Sequence, residues 1–202
     1  MHHLASPKLP SQLRPFCAAF LRLLDRWNRR HALTALDAGV REEELLLDSA
    51  VLLPWLDALG AGARVVDFGT GMGIPALLLA AAKPDLRIVA LDRSAKKLAF
   101  VRQVALELEL PNLEILQGDA DKIPALGGSL GVAKAVGSLA LLLGWWARHG
   151  NPEAPFLAPK GPEWEREPRP EGWELRPHPY RLPTRGERFL IEARKTGAQG
   201  RP

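Results

Sequence analysis

The sequence predicts an α/β fold: a doubly wound, mostly parallel sheet with a helical extension at its N-terminus. Three observations carry this reading. Between residues 63 and 117, apolar runs of strand character alternate with segments of helical spacing. A glycine-rich turn, Gly69-Thr70-Gly71-Met72-Gly73, follows the first of those runs directly. Residues 1–60 show helical periodicity and no strand pattern. A βαβαβ alternation calls for a parallel sheet, because each crossover helix returns the chain to the same end of the sheet, and helices then cover both faces. With 202 residues and 47% apolar content, the chain can bury one substantial core. The expected division is a basic helical extension over 1–60 packed on the core, a Rossmann-like domain over 61–196 and a frayed tail over 197–202.

The elements follow in order. From Leu13 to Trp27, residues Phe16, Phe20, Leu23, Leu24 and Trp27 recur at helical spacing and predict an amphipathic helix. A second helix is expected from Arg41 to Leu59, with Glu42, Glu43 and Glu44 favourably placed in its first turn and Pro54 bending or restarting it. Strands at 63–68, 86–91 and 112–117 then enclose helices at 73–83 and 94–109. Lys83-Pro84-Asp85 and Leu110-Pro111-Asn112 are turns at which those helices stop. Beyond Gly118 the pattern predicts a strand over Ser129–Val136, a helix over Ser138–Arg148 and a strand over Ala154–Ala158. Gly161–Gly172, rich in Pro, Glu and Arg, reads as a surface loop, and Trp173–Tyr180 with Arg188–Arg194 as a closing pair of strands.

Composition narrows the function classes. No apolar stretch reaches the roughly 18 residues that span a bilayer: Leu139 to Trp146 is too short, and Leu45 to Leu59 carries Asp48 and Asp57. No secretory signal pattern opens the chain, and Cys17 stands alone in a helical apolar pattern, so neither an internal disulfide nor a cysteine zinc site is expected. His2 and His3 read as a disordered end, while His31, His149 and His178 lack metal-ligand spacing. A cytoplasmic protein without membrane or metal follows; the pattern sets no oligomeric state. Between Met1 and Ala35, six Lys or Arg stand against one acid, in a chain of net charge +4. Arg22, Arg26, Arg29 and Arg30 are therefore candidates for contact with an RNA backbone, the alternative being a solvated helix face.

The glycine turn carries the chemistry. Val65 and Val66 end a buried strand, Gly69, Gly71 and Gly73 supply positive φ and leave no Cβ in a ligand's way, and Pro75 suits the first turn of the next helix. Strand, glycine turn and helix N-terminus together cradle a nucleotide. Asp92 ends the second strand 23 residues beyond Gly69, where a carboxylate accepts hydrogen bonds from an adenosine ribose. Both NAD and S-adenosyl-L-methionine (SAM) fit, and Gly71-x-Gly73-x-x-Ala76 satisfies the loose dinucleotide fingerprint. Asp67 favours SAM, because a carboxylate two residues before the first glycine pairs with a cationic amino-acid end and sits awkwardly beside a pyrophosphate. A glycine turn that binds no nucleotide is the bland alternative.

Trp27-Asn28, Leu33-Thr34-Ala35, Leu47-Asp48-Ser49, Val66 to Pro75, Leu91-Asp92-Arg93-Ser94-Ala95-Lys96-Lys97, Phe100-Val101, Lys160-Gly161 and Glu187-Arg188-Phe189-Leu190 form a set. Over residues 20 to 195, this set resembles the bacterial small-subunit ribosomal RNA guanine-N7 methyltransferases, also called glucose-inhibited division protein B. The resemblance implies a class I SAM-dependent methyltransferase that modifies N7 of a guanine in the decoding-region loop of 16S rRNA, with that RNA or the small ribosomal subunit as partner. Its cofactor contacts would come from Asp67, Gly69, Thr70, Gly71, Gly73, Asp92, Arg93 and Ser94. Asp67 would hold the methionine end, Asp92 the ribose, and Asp119, Ala120 and Asp121 the adenine. The chain departs from the family pattern at Ala32, where Asn is usual; at Leu45, where His is usual; at Asp119 with Asp121, where Arg and Glu flank the Ala; and at Lys134, where Arg is usual. Lys does not replace Arg where a planar bidentate contact is required. These departures keep open a paralogue with another nucleic-acid or small-molecule substrate, and a module that binds RNA without catalysis.

Guanine N7 bears a lone pair and no proton, so attack on a sulfonium methyl needs no general base, and the expected site aligns its reactants. No acid–base residue is expected. Lys134 and Lys160, at the carboxyl ends of the fourth and fifth strands, and Arg188, by resemblance, are the positioning candidates and also candidate RNA contacts. Lys96 and Lys97 join them at a helix start beside the ribose acid. Trp145 and Trp146 invite base stacking, but in an apolar helical run at least one belongs to the core.

Overall fold

The computed structural model describes residues 6–197; His2, His3 and the tail beyond Gly197 lie outside the described residues. Helix α1 runs Arg14–His31, with Pro15 in its first turn. It buries Cys17, Phe20, Leu23 and Leu24, with the Phe20 and Trp27 rings 6.1 and 5.6 Å from that of Phe100. Burial pushes the Cys17 thiol up to about 11, as befits a packed, unreactive group. Ala32 ends α1 in the left-handed region (φ 44°). There the Asn28 side chain donates to the Thr34 carbonyl (3.0 Å) and accepts its N–H (2.9 Å).

The second helix is stepped, not continuous. A 3-10 turn, Ala38–Val40, leads into a π-helical stretch, Glu42–Leu47, then α2 (Asp48–Ala50) and α3 (Leu53–Leu56). Two local causes are visible. The buried Ser49 hydroxyl donates back to the Leu45 carbonyl at 2.6 Å, and Pro54 restarts the chain in the first turn of α3.

From there the alternation holds: β1 (Arg64–Phe68), α4 (Ala76–Ala82), β2 (Arg87–Asp92), α5 (Ala95–Glu107), β3 (Leu113–Gln117), β4 (Leu130–Val132), α6 (Leu139–His149) and β5 (Phe156–Lys160). An antiparallel hairpin, β6 (Trp173–Leu182) and β7 (Gly186–Lys195), closes the sheet in the order β3-β2-β1-β4-β5-β7-β6. The first five strands are mutually parallel and β7 runs against β5. Strand β4 is three residues long, not the eight expected, because the chain leaves the sheet after Ala133 and Ala135 turns it in the left-handed region (φ 57°). Close packing fixes Gly131 in β4: a Cβ there would stand 2.5 Å from the Phe156 ring and 2.7 Å from Trp146.

One face of the sheet packs under α1, α4, α5 and the stepped segment, the other under α6, where Phe68, Trp146 and Phe156 meet. The stretch 161–172 is not all surface. Pro162–Arg166 forms a 3-10 turn that buries Trp164 against Phe189 (ring centroids 6.0 Å apart), with the Arg169 guanidinium 4.3 Å above the indole. At the outer edge, Pro177 and Pro179 occupy alternate positions of β6, opposite Ile191 and Phe189. Among the described residues no helix is long and apolar enough to cross a membrane, and no group of His, Cys, Asp or Glu could hold a metal ion.

Candidate cofactor and RNA site

The strand order reverses between β1 and β4, and a doubly wound sheet opens its crevice at the carboxyl ends of the strands at such a point. Asp67 stands there, fully buried. Its Oδ2 accepts the Ala76 N–H at the start of α4 (3.1 Å), while Oδ1 has no partner among the described residues. The equally buried Thr70 hydroxyl lies close by without reaching hydrogen-bond geometry. Burial raises the Asp67 carboxyl from 3.8 to about 7. An orphaned buried carboxylate oxygen beside a glycine turn is the chemistry a ligand ammonium would complete.

Asp92 is held in the opposite manner. Its Oδ2 accepts the Gly71 N–H and its Oδ1 the Ser94 N–H, both at 2.8 Å, so the carboxylate is fixed while each oxygen keeps a lone pair for a donor. The turn between the two acids needs glycine: φ is 65°, 58° and 92° at Gly69, Gly71 and Gly73, and a Cβ on Gly69 would meet Val136 at 2.8 Å. Beside Asp92 opens a cleft of about 260 Å³, lined by Gly69, Leu91, Asp92, Arg93, Lys97, Gly118, Asp119, Ala120, Ala135, Val136 and Trp145. Of the segment expected at the adenine, Asp119 and Ala120 line this cleft and Asp121 does not; its carboxylate is turned to the Trp145 indole N–H (3.0 Å). Lys96 is exposed outside the cleft, Lys97 lines it, and Ser94 caps α5 by accepting the Lys97 N–H (3.3 Å). The two tryptophans divide: Trp146 is core and Trp145 faces the cleft.

Lys134 and Arg188 meet on Asp48, a residue that belongs to the resemblance set but to which the sequence reading assigned no role. This buried acid accepts the Tyr180 hydroxyl (2.5 Å), faces Arg188 Nε at 3.3 Å and has Lys134 Nζ 3.8 Å away. Lys134 Nζ also donates to the Glu44 carbonyl (2.7 Å), and burial lowers its pKa against the pull of Asp48. Asp48, with Tyr180 and Arg188, thereby fastens the stepped N-terminal segment to the hairpin and, through Lys134, to the end of β4. The available signal was an acid inside the apolar run Leu45–Leu53, a place where an unpaired carboxylate is costly.

Lys160 lies apart from this cluster. Its Nζ donates to the Gly137 carbonyl (2.7 Å) and to Glu167 (2.6 Å), and the other Glu167 oxygen accepts the Leu139 N–H at the start of α6 (2.6 Å). Arg22, Arg29 and Arg30 are exposed along α1. Arg26 pairs with Glu107, with Nη2 3.2 and 3.3 Å from its oxygens. Glu107 is the last residue of α5, about 18 Å along that helix from its cleft end at 1.5 Å rise per residue.

This strand order, with a glycine turn between acids that end β1 and β2, defines a class I SAM-dependent methyltransferase fold. The chain is similar to a SAM dependent methyltransferase from Aquifex aeolicus (TM-score 0.59, 20% identity, 80% of this chain and 96% of that one). It is also similar to TrmN from Thermus thermophilus (TM-score 0.58, 22% identity, 83% and 53%). Within that class, the chain belongs to the rRNA small subunit methyltransferase G family, whose pattern it matches over residues 15–174. Proteins of the name ribosomal RNA small subunit methyltransferase G from Legionella pneumophila (strain Corby) and Methylococcus capsulatus are 33% and 39% identical to it. The first alignment covers 89% of this chain and 86% of the relative, the second 88% and 87%.

Proposed function

We propose that this protein transfers a methyl group from SAM to N7 of a guanine in 16S rRNA, acting on that RNA or on the small ribosomal subunit. The observation that carries the reading is the orphaned, fully buried Oδ1 of Asp67 beside the glycine turn, with Asp92 rigidly presented at the next strand end. Family membership supports the ribosomal RNA substrate.

When bound, SAM supplies a sulfonium methyl; the chain supplies alignment. Asp67 pairs with the amino-acid ammonium, Asp92 accepts from the ribose hydroxyls, and the glycine turn lets the backbone close on the ligand. Lys134, Lys160 and Arg188, around the ends of β4, β5 and β7, bear on the RNA side. Lys134 is too deeply engaged with Glu44 and Asp48 to serve as a free phosphate contact, so its part is to shape the mouth. Guanine N7 loses no proton, so no side chain has to accept one.

The test is methylation of small subunits and of naked 16S rRNA with isotopically labelled SAM, followed by mass-spectrometric mapping. Label on N7 of a single guanine, abolished in Asp67→Ala, is expected. Label on protein or DNA, or on a carbon or ribose oxygen of the RNA, would overturn the reading.

A further inference from the structure

Three side chains of α6 reach the same surface turn. Trp145 Nε1 donates to Asp121 Oδ1 at 3.0 Å. Arg148 spends both terminal nitrogens on backbone carbonyls, that of Asp121 at 2.9 Å and that of Ile123 at 2.8 Å. His149, fully buried, meets the Ala120 carbonyl with Nε2 at 2.7 Å. A carbonyl only accepts, so Nε2 carries the ring proton, and Nδ1 is left buried without a partner. Positions 145, 148 and 149 share one face of a helix. The turn is itself a single helical winding in which the Lys122 and Ile123 N–H groups donate to the Asp119 carbonyl. Asp119 and Ala120 at its start line the cleft, as does the half-buried Trp145 ring, which lies nearly parallel to Phe68 (24°, centroids 6.0 Å apart).

Fold stability alone does not explain this arrangement. Arg148 is exposed, and hydrogen bonds in reach of water add little to stability, yet its planar fork bridges two carbonyls two residues apart and so fixes the shape of the turn. The fixed shape sets the distance between a flat aromatic surface and a polar edge. Asp119 Oδ1 already accepts the Asp121 N–H (3.1 Å), while the carboxylate keeps acceptor capacity toward the cleft for a ring amine.

We propose that α6 is the template for the adenine end of the cleft: Trp145 is the wall on which adenine stacks, and Arg148 and His149 are positioning residues that hold the Ala120–Ile123 turn at stacking distance from its partner groups. This rests on the SAM reading of the cleft and adds to it a recognition surface from an element outside the glycine turn and both acids.

The experiment is calorimetric titration of the full chain with S-adenosylhomocysteine, alongside binding of a 16S rRNA fragment. Trp145→Ala should weaken the nucleoside ligand about 5- to 150-fold, the range expected when base–aromatic stacking is removed, and leave RNA affinity unchanged. Trp145→Phe should stay close to wild type in affinity but lose the quenching of indole emission that the ligand produces in wild type. His149→Gln, whose amide still donates to the Ala120 carbonyl, should bind as wild type, and His149→Leu should not. Should the buried Leu variant fail to fold, Arg148→Met at its exposed site makes the same comparison and should weaken the ligand several-fold. Undiminished ligand affinity in Trp145→Ala or Arg148→Met would overturn the proposal, as would a Trp145→Ala that loses RNA and keeps the nucleoside. Failure of the wild-type chain to bind S-adenosylhomocysteine would overturn the SAM reading itself.

Discussion

Asp67 is a fully buried carboxyl whose charged form weakens the fold. Its folded-state pKa is raised, from 3.8 to about 7, so between those values the folded chain keeps a proton that the unfolded chain has released. Stability in that window therefore falls as pH rises. Asp67→Asn, which still offers an oxygen to the Ala76 N–H, should be the more stable protein above pH 7, by on the order of 4 kcal/mol. The two should converge near pH 4, as chemical unfolding across the range would show. Asp92→Ala should weaken SAM by about 1–3 kcal/mol through the loss of charge-assisted hydrogen bonds, with calorimetry as the measure. The placement of both acids was legible in the sequence because it is local: each stands at the carboxyl end of a strand at a fixed offset from the glycines. The bond between Asp48 and Tyr180 was not, since 132 positions separate them and no periodic pattern spans that distance. Nor could spacing decide between Trp145 and Trp146; neighbours on a helix point about 100° apart, and which faces the core depends on the sheet beneath.

The stepped segment and the hairpin depend on each other. Removing Asp48 takes the nearest counter-charge from the partly buried Arg188 and Lys134, so Asp48→Ala should cost about 3–5 kcal/mol, and Tyr180→Phe, which removes one donor to Asp48, about 1–3 kcal/mol. Urea unfolding of the two variants and their double mutant should show strong non-additivity, since both act on one network. On α1, charge-neutral replacement of Arg22, Arg29 and Arg30 should flatten the salt dependence of RNA binding by about 0.7 to 0.9 of a unit for each phosphate that the helix ceases to neutralise. Arg26 has Glu107 as its partner and should contribute less; an unchanged slope in the triple variant would return the helix to a solvated face. The sequence located α1 and the first three strands within a few residues because their periodicity is long or bounded by glycine and proline. It anticipated the restart at Pro54 but read the stretch before it as continuous α-helix, because six residues of π-helical winding leave no recurrent signature. It overextended β4, because Ala133 to Val136 are strand-like in type but lie where the chain must bend around the crevice.

For the whole molecule, a chemistry of alignment makes a definite statement about pH. With SAM saturating, single-turnover transfer should vary little between about pH 6 and 8, since neither reacting atom gains or loses a proton. With SAM limiting, the rate should decline below pH 7, because free Asp67 must shed its proton before it can pair with an ammonium. An acid decline in the saturated rate, abolished by replacing His31, His149 or His178, would mean that a general base takes part. The global topology followed from the βαβ alternation, which restricts the sheet to few arrangements; the reversed last strand depended on a hairpin that the sequence marks only faintly. That hairpin also determines how the molecule behaves in company. Its outer strand, ten residues long, would be an open template for any extended peptide that drifted against it, including a second copy of itself. Pro177 and Pro179 remove two donors from that rim at alternate positions. An incoming strand finds no N–H at either position, so its ladder is interrupted in the middle of β6. An eighth strand added at this edge would have to pair across that gap, which makes β6 a poor template for growth of the sheet.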